Sequence, residues 1–130
     1  MPVFAVFLPR QAVEFTIHRF KTTWGEEIEI RETPSGETVC PVCGGIFGGD
    51  WPWGEYYECD SHGNPIGETY GAASFDGCPC CLTHYGDEDW PKEGETLNET
   101  WEKLRKKWLD QVALTPEVKS QLANLGTPAR

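Results

Sequence analysis

Hydrophobic positions change their period along the chain, and the changes divide it into three stretches. In the first, Val3 to Leu8 form a short apolar run that Pro9 ends. Val13, Phe15 and Ile17 then alternate with Glu14, Thr16 and His18, and Ile28 and Ile30 alternate with Glu27, Glu29 and Arg31. A period of two belongs to a strand with one buried face, so three strands are predicted here. Pro34-Ser35-Gly36 predicts a turn after them.

Residues 40–95 lose aliphatic periodicity. Val42, Ile46, Ile66 and Leu82 stand against nine aromatics: Phe47, Trp51, Trp53, Tyr56, Tyr57, Tyr70, Phe75, Tyr85 and Trp90. Closely spaced glycines predict tight turns, and Asp60 to Gly67 predicts the tip joining two short strands. Such a stretch cannot close an aliphatic core by itself and needs another source of order.

In the last third the period becomes helical. Thr96 with Glu99 fits a capping box, and Leu97, Trp101, Leu104, Trp108 and Val112 recur at spacings of three and four. Glu99 with Lys103, and Glu102 with Lys106, are expected to pair on the outer side. A second helix is predicted from Thr115, with Pro116 in its first turn, Val118, Leu122 and Leu125 inward, and Gly126 as its stop. The basic run Lys103, Arg105, Lys106 and Lys107 reads as a solvated helix face.

Composition narrows the function classes. A chain of 130 residues suits one domain, here 1–130, with a β-rich segment at 1–38, a cysteine hairpin at 39–95 and a helical tail at 96–126. The early apolar run is too short for a leader or a membrane span, so a soluble, cytoplasmic protein is expected. Lys and Arg number 11 against 21 Asp and Glu, a net charge of −10. From Glu32 to Pro91 the chain carries acids but neither Lys nor Arg. Phosphate backbones are bound by cations, so a nucleic-acid partner is not expected.

The six cysteines carry the sharpest chemical signal. Cys40-Pro-Val-Cys43 and Cys78-Pro-Cys-Cys81 align as two C-P-x-C units. Two residues between cysteines let both sulfurs of a tight turn face one ion, and two such turns complete a tetrahedron. Cys40, Cys43, Cys78 and Cys81 are therefore the expected metal ligands. The alignment sets Cys80 opposite Val42 and leaves it as a spare thiol, although it could replace Cys81 in the ligand set. Cys59 stands apart and is expected to be a buried free thiol, and His84, three residues from Cys81, reads as a surface or hydrogen-bonding residue, with a fifth-ligand or ligand-supporting role as the alternative. A disulfide framework is the competing use of six cysteines.

A closed four-sulfur site is usually structural, because catalysis needs an exchangeable position for water. His62-Gly63-Asn64 lacks the His-x-Glu of zinc deaminases, and no nucleophile elbow, phosphate loop or dinucleotide fingerprint occurs. An enzyme is not expected. Asp87-Glu88-Asp89 reads as a solvated acidic turn.

Cys40-Pro-Val-Cys-Gly-Gly, Ala73-Ser-Phe-Asp-Gly-Cys-Pro-Cys-Cys, Tyr85-Gly-Asp-Glu-Asp, the helix from Trp101 to Leu109 and Gln121-Leu-Ala-Asn-Leu together resemble a group of uncharacterised bacterial Cys-rich proteins of the CPxCG…CPCC type. The resemblance covers roughly residues 38–126 and implies a zinc ribbon with a helical tail. The paired cysteine turns in an acidic, aromatic-rich chain also resemble rubredoxin, which implies iron at the same four residues. Leu82 stands where a glycine is expected after the second pair, so an altered geometry is expected there.

The expected fold class is thus α+β: a small N-terminal antiparallel β-sheet, a zinc-ribbon (rubredoxin-like) knuckle pair and two C-terminal helices. The expected function is a non-enzymatic protein-binding or adaptor module with one structural zinc. Iron-based electron transfer is the alternative. Trp51, Trp53, Tyr56 and Tyr57 are the candidate contact surface for a protein partner, unless these rings instead cover the metal hairpin.

Overall fold

The computed structural model describes residues 14–49 and 51–126. The expected strand at Val3 to Leu8, and Val13, lie outside the described residues. Six strands and two helices follow in an α+β order: β1 (Thr16–Lys21), β2 (Glu27–Glu32), β3 (Thr38–Val39), β4 (Ile46–Phe47), β5 (Trp53–Cys59), β6 (Pro65–Ala73), α1 (Leu97–Leu109) and α2 (Pro116–Ala123). Strands β1 to β4 form one antiparallel sheet in sequence order, and β5 and β6 form a separate antiparallel hairpin.

In β2 the alternation behaves as expected, with Ile28 and Ile30 buried between outward-facing glutamates. In β1 the buried face is the other one: Phe20 is buried and His18 half-buried, whereas Ile17 is exposed. A one-residue change of register exchanges the two faces of a strand. The face is chosen here by contacts that the local pattern does not contain. His18 Nε2 lies 2.8 Å from Glu32 Oε1, and the Trp51 ring packs edge-on against His18 and Phe20.

The β5–β6 hairpin crosses the end of β1 through a bridge between Thr22 and Gly71. A Cβ at Gly71 would stand 3.0 Å from Phe20 Cβ, which is why the close crossing uses a glycine. Beyond that crossing the hairpin leaves the core, and residues from Glu55 to Thr69 are exposed on both faces.

Helix α1 begins with the expected capping box between Thr96 and Glu99. A second carboxylate joins it from the sheet. Glu26 accepts from the backbone N–H of Leu97 at 2.7 Å and of Asn98 at 3.0 Å, and from the Trp24 indole. Burial opposes ionisation of Glu26, but these donors at a helix N-terminus outweigh it and lower its pKa. Lys103 bonds Glu95, not Glu99, because Glu95 is already held in place by the Thr100 hydroxyl. Helix α2 is capped by Thr115 and buries Leu122.

One buried cluster draws on all of these parts: Ile28 and Ile30 from the sheet, Trp53 and Ala73 from the hairpin, Leu97, Trp101 and Trp108 from α1, Leu122 from α2, and Cys40, Cys43 and Cys78. Asp89 lies inside this structure, not in a solvated turn as expected. Its Oδ2 accepts both the Trp53 indole N–H at 2.8 Å and the Trp101 indole N–H at 2.9 Å, while Oδ1 accepts from Gly86 N. A buried carboxylate is tolerable only with such donors.

Candidate metal centre

The first cysteine turn connects β3 to β4, so it is continuous with the N-terminal sheet. The second follows β6 and is closed by an isolated antiparallel bridge between Gly77 and His84. That bridge is the counterpart of the Val39–Ile46 pair around the first turn. The hydrogen bonds are equivalent as well. Gly44 N donates to Cys40 O and Leu82 N to Cys78 O, each at 2.9 Å, and Cys40 N donates to Gly45 O as Cys78 N donates to Thr83 O. Residues 38–47 and 76–85 are thus two copies of one turn. Leu82 adopts φ 65°, matching Gly44 at φ 81°, so the side chain departs from the pattern but the backbone does not. Its side chain points into solvent, where the left-handed conformation meets no further obstruction.

The two turns bring Cys40, Cys43, Cys78 and Cys81 together, with all four sulfurs within 4.8 Å of one another. Across the turns, Cys43 Sγ is 3.7 Å from Cys78 Sγ, and Cys40 Sγ is 3.8 Å from Cys81 Sγ. Four sulfurs around a metal at a zinc–sulfur bond length form a tetrahedron with edges of about 3.8 Å, whereas a disulfide brings its sulfurs to about 2.05 Å. The four cysteines fit a metal ion, and no cysteine is in a disulfide.

Backbone N–H groups face the sulfurs. Val42 N lies 3.4 Å from Cys40 Sγ, Gly45 N 3.4 Å from Cys43 Sγ, and Cys80 N 3.4 Å from Cys78 Sγ. Cys81 Sγ is 3.2 Å from Thr83 Oγ1; as a thiolate it would accept from that hydroxyl. Among the thiols themselves, burial pushes Cys40 up, while hydrogen bonds from Cys40 and then Cys43 lower Cys81 to about 7. Four thiolates this close repel one another, and a bound cation is what allows all four to ionise together.

The helices hold the turns from outside. Arg105 donates from Nε to Val42 O at 2.7 Å and from a terminal guanidinium nitrogen to Pro41 O at 2.9 Å. Its guanidinium is half-buried against the first turn, with the Cys40 and Cys43 sulfurs in its field; it is not part of a solvated face as the charge run suggested. Asn124 donates to Gly44 O, and Gln121 Nε2 lies 3.2 Å from Cys80 Sγ. Cys80 is exposed and outside the four-sulfur cluster. Cys59 is exposed near the hairpin tip, contrary to the buried thiol expected, because the hairpin has left the core by that point. His84 stays outside as well: its backbone N–H donates to Glu88.

The four candidate contact aromatics separate. Trp53 is a core residue, Trp51 is half-buried, and Tyr56 and Tyr57 are exposed on the hairpin. Sequence reasoning missed the roles of Arg105 and Tyr85 beside the centre and of Asp89 in the core under Trp53 and Trp101. Tyr85 alone left a signal, since aligning the two C-P-x-C units sets it opposite Phe47, an aromatic at the same offset. No protein-family model, curated protein or solved structure matches the chain. None of the described helices is long and apolar enough to cross a membrane.

Proposed function

We propose that Cys40, Cys43, Cys78 and Cys81 hold one zinc ion as a structural staple, and that the protein is a non-enzymatic binding or adaptor module. The observation that carries the reading is the closed four-sulfur cluster with cross-turn separations of 3.7 and 3.8 Å. A set of four protein ligands leaves no coordination position for water or substrate. The staple joins the N-terminal sheet to the segment after β6, where aliphatic packing is scarce. Reduced thiols in this role suit a cytoplasmic setting. The reading also agrees with the resemblance to CPxCG…CPCC-type bacterial proteins.

The partner on this reading is a protein with a basic surface. Tyr56, Tyr57 and Ile66 are exposed on a hairpin that also carries Glu55, Glu58, Asp60 and Glu68. Rigid aromatics flanked by acids suit a basic, partly apolar contact. Elemental analysis of the purified protein, with a visible spectrum of the same sample, tests the metal. One zinc per chain and no colour is the expected result. One iron with thiolate charge-transfer absorption would replace this reading by rubredoxin-like electron transfer, and no metal would remove both.

A further inference from the structure

A glycine inside a strand weakens it, and marks a bulge, a bend or a place where another group approaches the backbone closely. Gly54 in β5 and Gly71 in β6 both lie at the base of the hairpin, and their surroundings differ. The crossing with β1 explains Gly71, whose added Cβ would stand 3.0 Å from Phe20 Cβ. At Gly54 an added Cβ would meet, among the described residues, Trp51 Cβ alone, at 4.0 Å. Its φ lies outside the left-handed region. The pairs Trp53–Ala73, Gly54–Ala72 and Glu55–Gly71 run in register, and the irregularity of the ladder comes later, between Tyr56 and Glu58. Neither the backbone nor the packing of the described residues accounts for a glycine at this position.

Successive side chains of a strand point to opposite faces. Trp53 and Ala73 are buried in the core, so Gly54 and Tyr56, with their cross-strand partners Ala72 and Tyr70, belong to the outer face. On that face lies a cleft of about 210 Å3 lined by Trp51, Gly54, Tyr56, Ala72 and Ser74. Sites for whole small molecules typically measure about 300–1,000 Å3, so this one suits a single side chain. Its floor is made of small residues and its walls of two rings. Trp51 is held edge-on by His18 and Phe20, while Tyr56 is 54% exposed. The surrounding charge selects the occupant. Glu55 and Glu58 stand on the same strand, and neither Lys nor Arg occurs from Glu32 to Pro91. Aromatic faces attract a cation, and nearby carboxylates strengthen that attraction.

We propose that the cleft over Gly54 receives an arginine or lysine side chain of a protein partner, held between Trp51 and Tyr56. This rests on the reading of the protein as a module for a basic protein partner, and assigns the point of contact within it. The aliphatic stem of the incoming side chain lies over Gly54 and Ala72, where a larger residue would exclude it, and its charged head stays against the rings at the rim of the cleft.

The test titrates the full, isotopically labelled chain with the peptide acetyl-Gly-Arg-Gly-Arg-Gly-amide and follows its NMR spectrum. The amide signals of Gly54, Tyr56 and Ala72 and the indole signal of Trp51 are expected to shift together. A peptide with citrulline in place of arginine keeps the shape without the charge, and should bind about 3- to 30-fold more weakly. Gly54→Val fills the cleft from its floor and should weaken the arginine peptide by a similar factor. Should Gly54→Val not fold, Tyr56→Ala removes an exposed wall and carries the same expectation. Undiminished binding to the variant, with shifts confined to Glu55, Glu58, Asp60 and Glu68, overturns the cleft while the basic-partner reading stands. Equal binding of the citrulline peptide overturns the choice of a cationic side chain. No shift with either peptide at millimolar concentration overturns the cleft and the basic-partner reading together.

Discussion

The two cysteine turns share a sequence pattern, a hydrogen-bond pattern and a left-handed fifth residue, yet they sit in opposite surroundings. From Cys40 to Gly44 every residue of the first turn is buried. In the second, Pro79, Cys80 and Leu82 are exposed and Cys81 is half-buried. The first is held by Arg105 on two carbonyls and by Asn124 on a third, and the second meets α2 through one Gln121 contact with sulfur. Local geometry is therefore a property of the C-P-x-C unit, while rigidity is conferred by what packs over it. The first turn is the anchor of the site, and the second closes on it.

The largest test of this contrast removes the shared element. Cys40→Ser and Cys81→Ser are each expected to abolish stoichiometric metal binding, worth on the order of 10 kcal/mol for a structural zinc. Loss of folded structure should extend through residues 40–95 in circular dichroism and proteolysis. Cys59→Ser, at an exposed hairpin position, should leave the melting temperature unchanged. Equal tolerance of all three would remove the four-ligand assignment.

Next in size is Gly44→Ala. A Cβ there would stand 2.1 Å from the backbone oxygen of Gln121, at a φ that disfavours any side chain. Denaturant melts should show a loss of about 2–4 kcal/mol as α2 is pushed away. Arg105→Met comes third, expected to cost about 1–3 kcal/mol because it strands the buried carbonyls of Pro41 and Val42. Its counterpart on the open turn, Gln121→Ala, should stay within about 0.5 kcal/mol. A larger loss for Gln121→Ala than for Arg105→Met would reverse the roles given to the two turns. The smallest effect is a gain. Leu82→Gly relieves a left-handed leucine whose side chain is 74% exposed, and should raise stability by about 1 kcal/mol in the same melts.

The four-cysteine cluster and both helices were legible in the sequence because their determinants are local. Cys40, Cys43, Cys78 and Cys81 announce themselves by spacing, and Thr96, Glu99, Thr115 and Pro116 mark helix starts through side chains that act within one turn. The face of β1 was not legible, since burial of His18 and Phe20 over Ile17 depends on Trp51 arriving from a distant segment. Asp89 looked like one more solvated acid because nothing near it in sequence supplies Trp53 or Trp101. Cys59 looked like a core thiol because strand pattern does not say how far a hairpin runs beyond the body it packs against.

By itself, then, the sequence determined the α+β order of elements, the helix starts and which four thiols cluster, all consequences of short-range geometry and ligand chemistry; the helices end at Leu109 and Ala123, short of the expected Val112 and Leu125. Tertiary structure alone decided which turn is buried, that Arg105 bonds the first turn instead of facing solvent, and that Tyr85 is buried in one core with Cys40, Cys43 and Cys78. Those outcomes depend on the dielectric and steric surroundings built by residues tens of positions apart, and burial of that kind is a property of the assembled core.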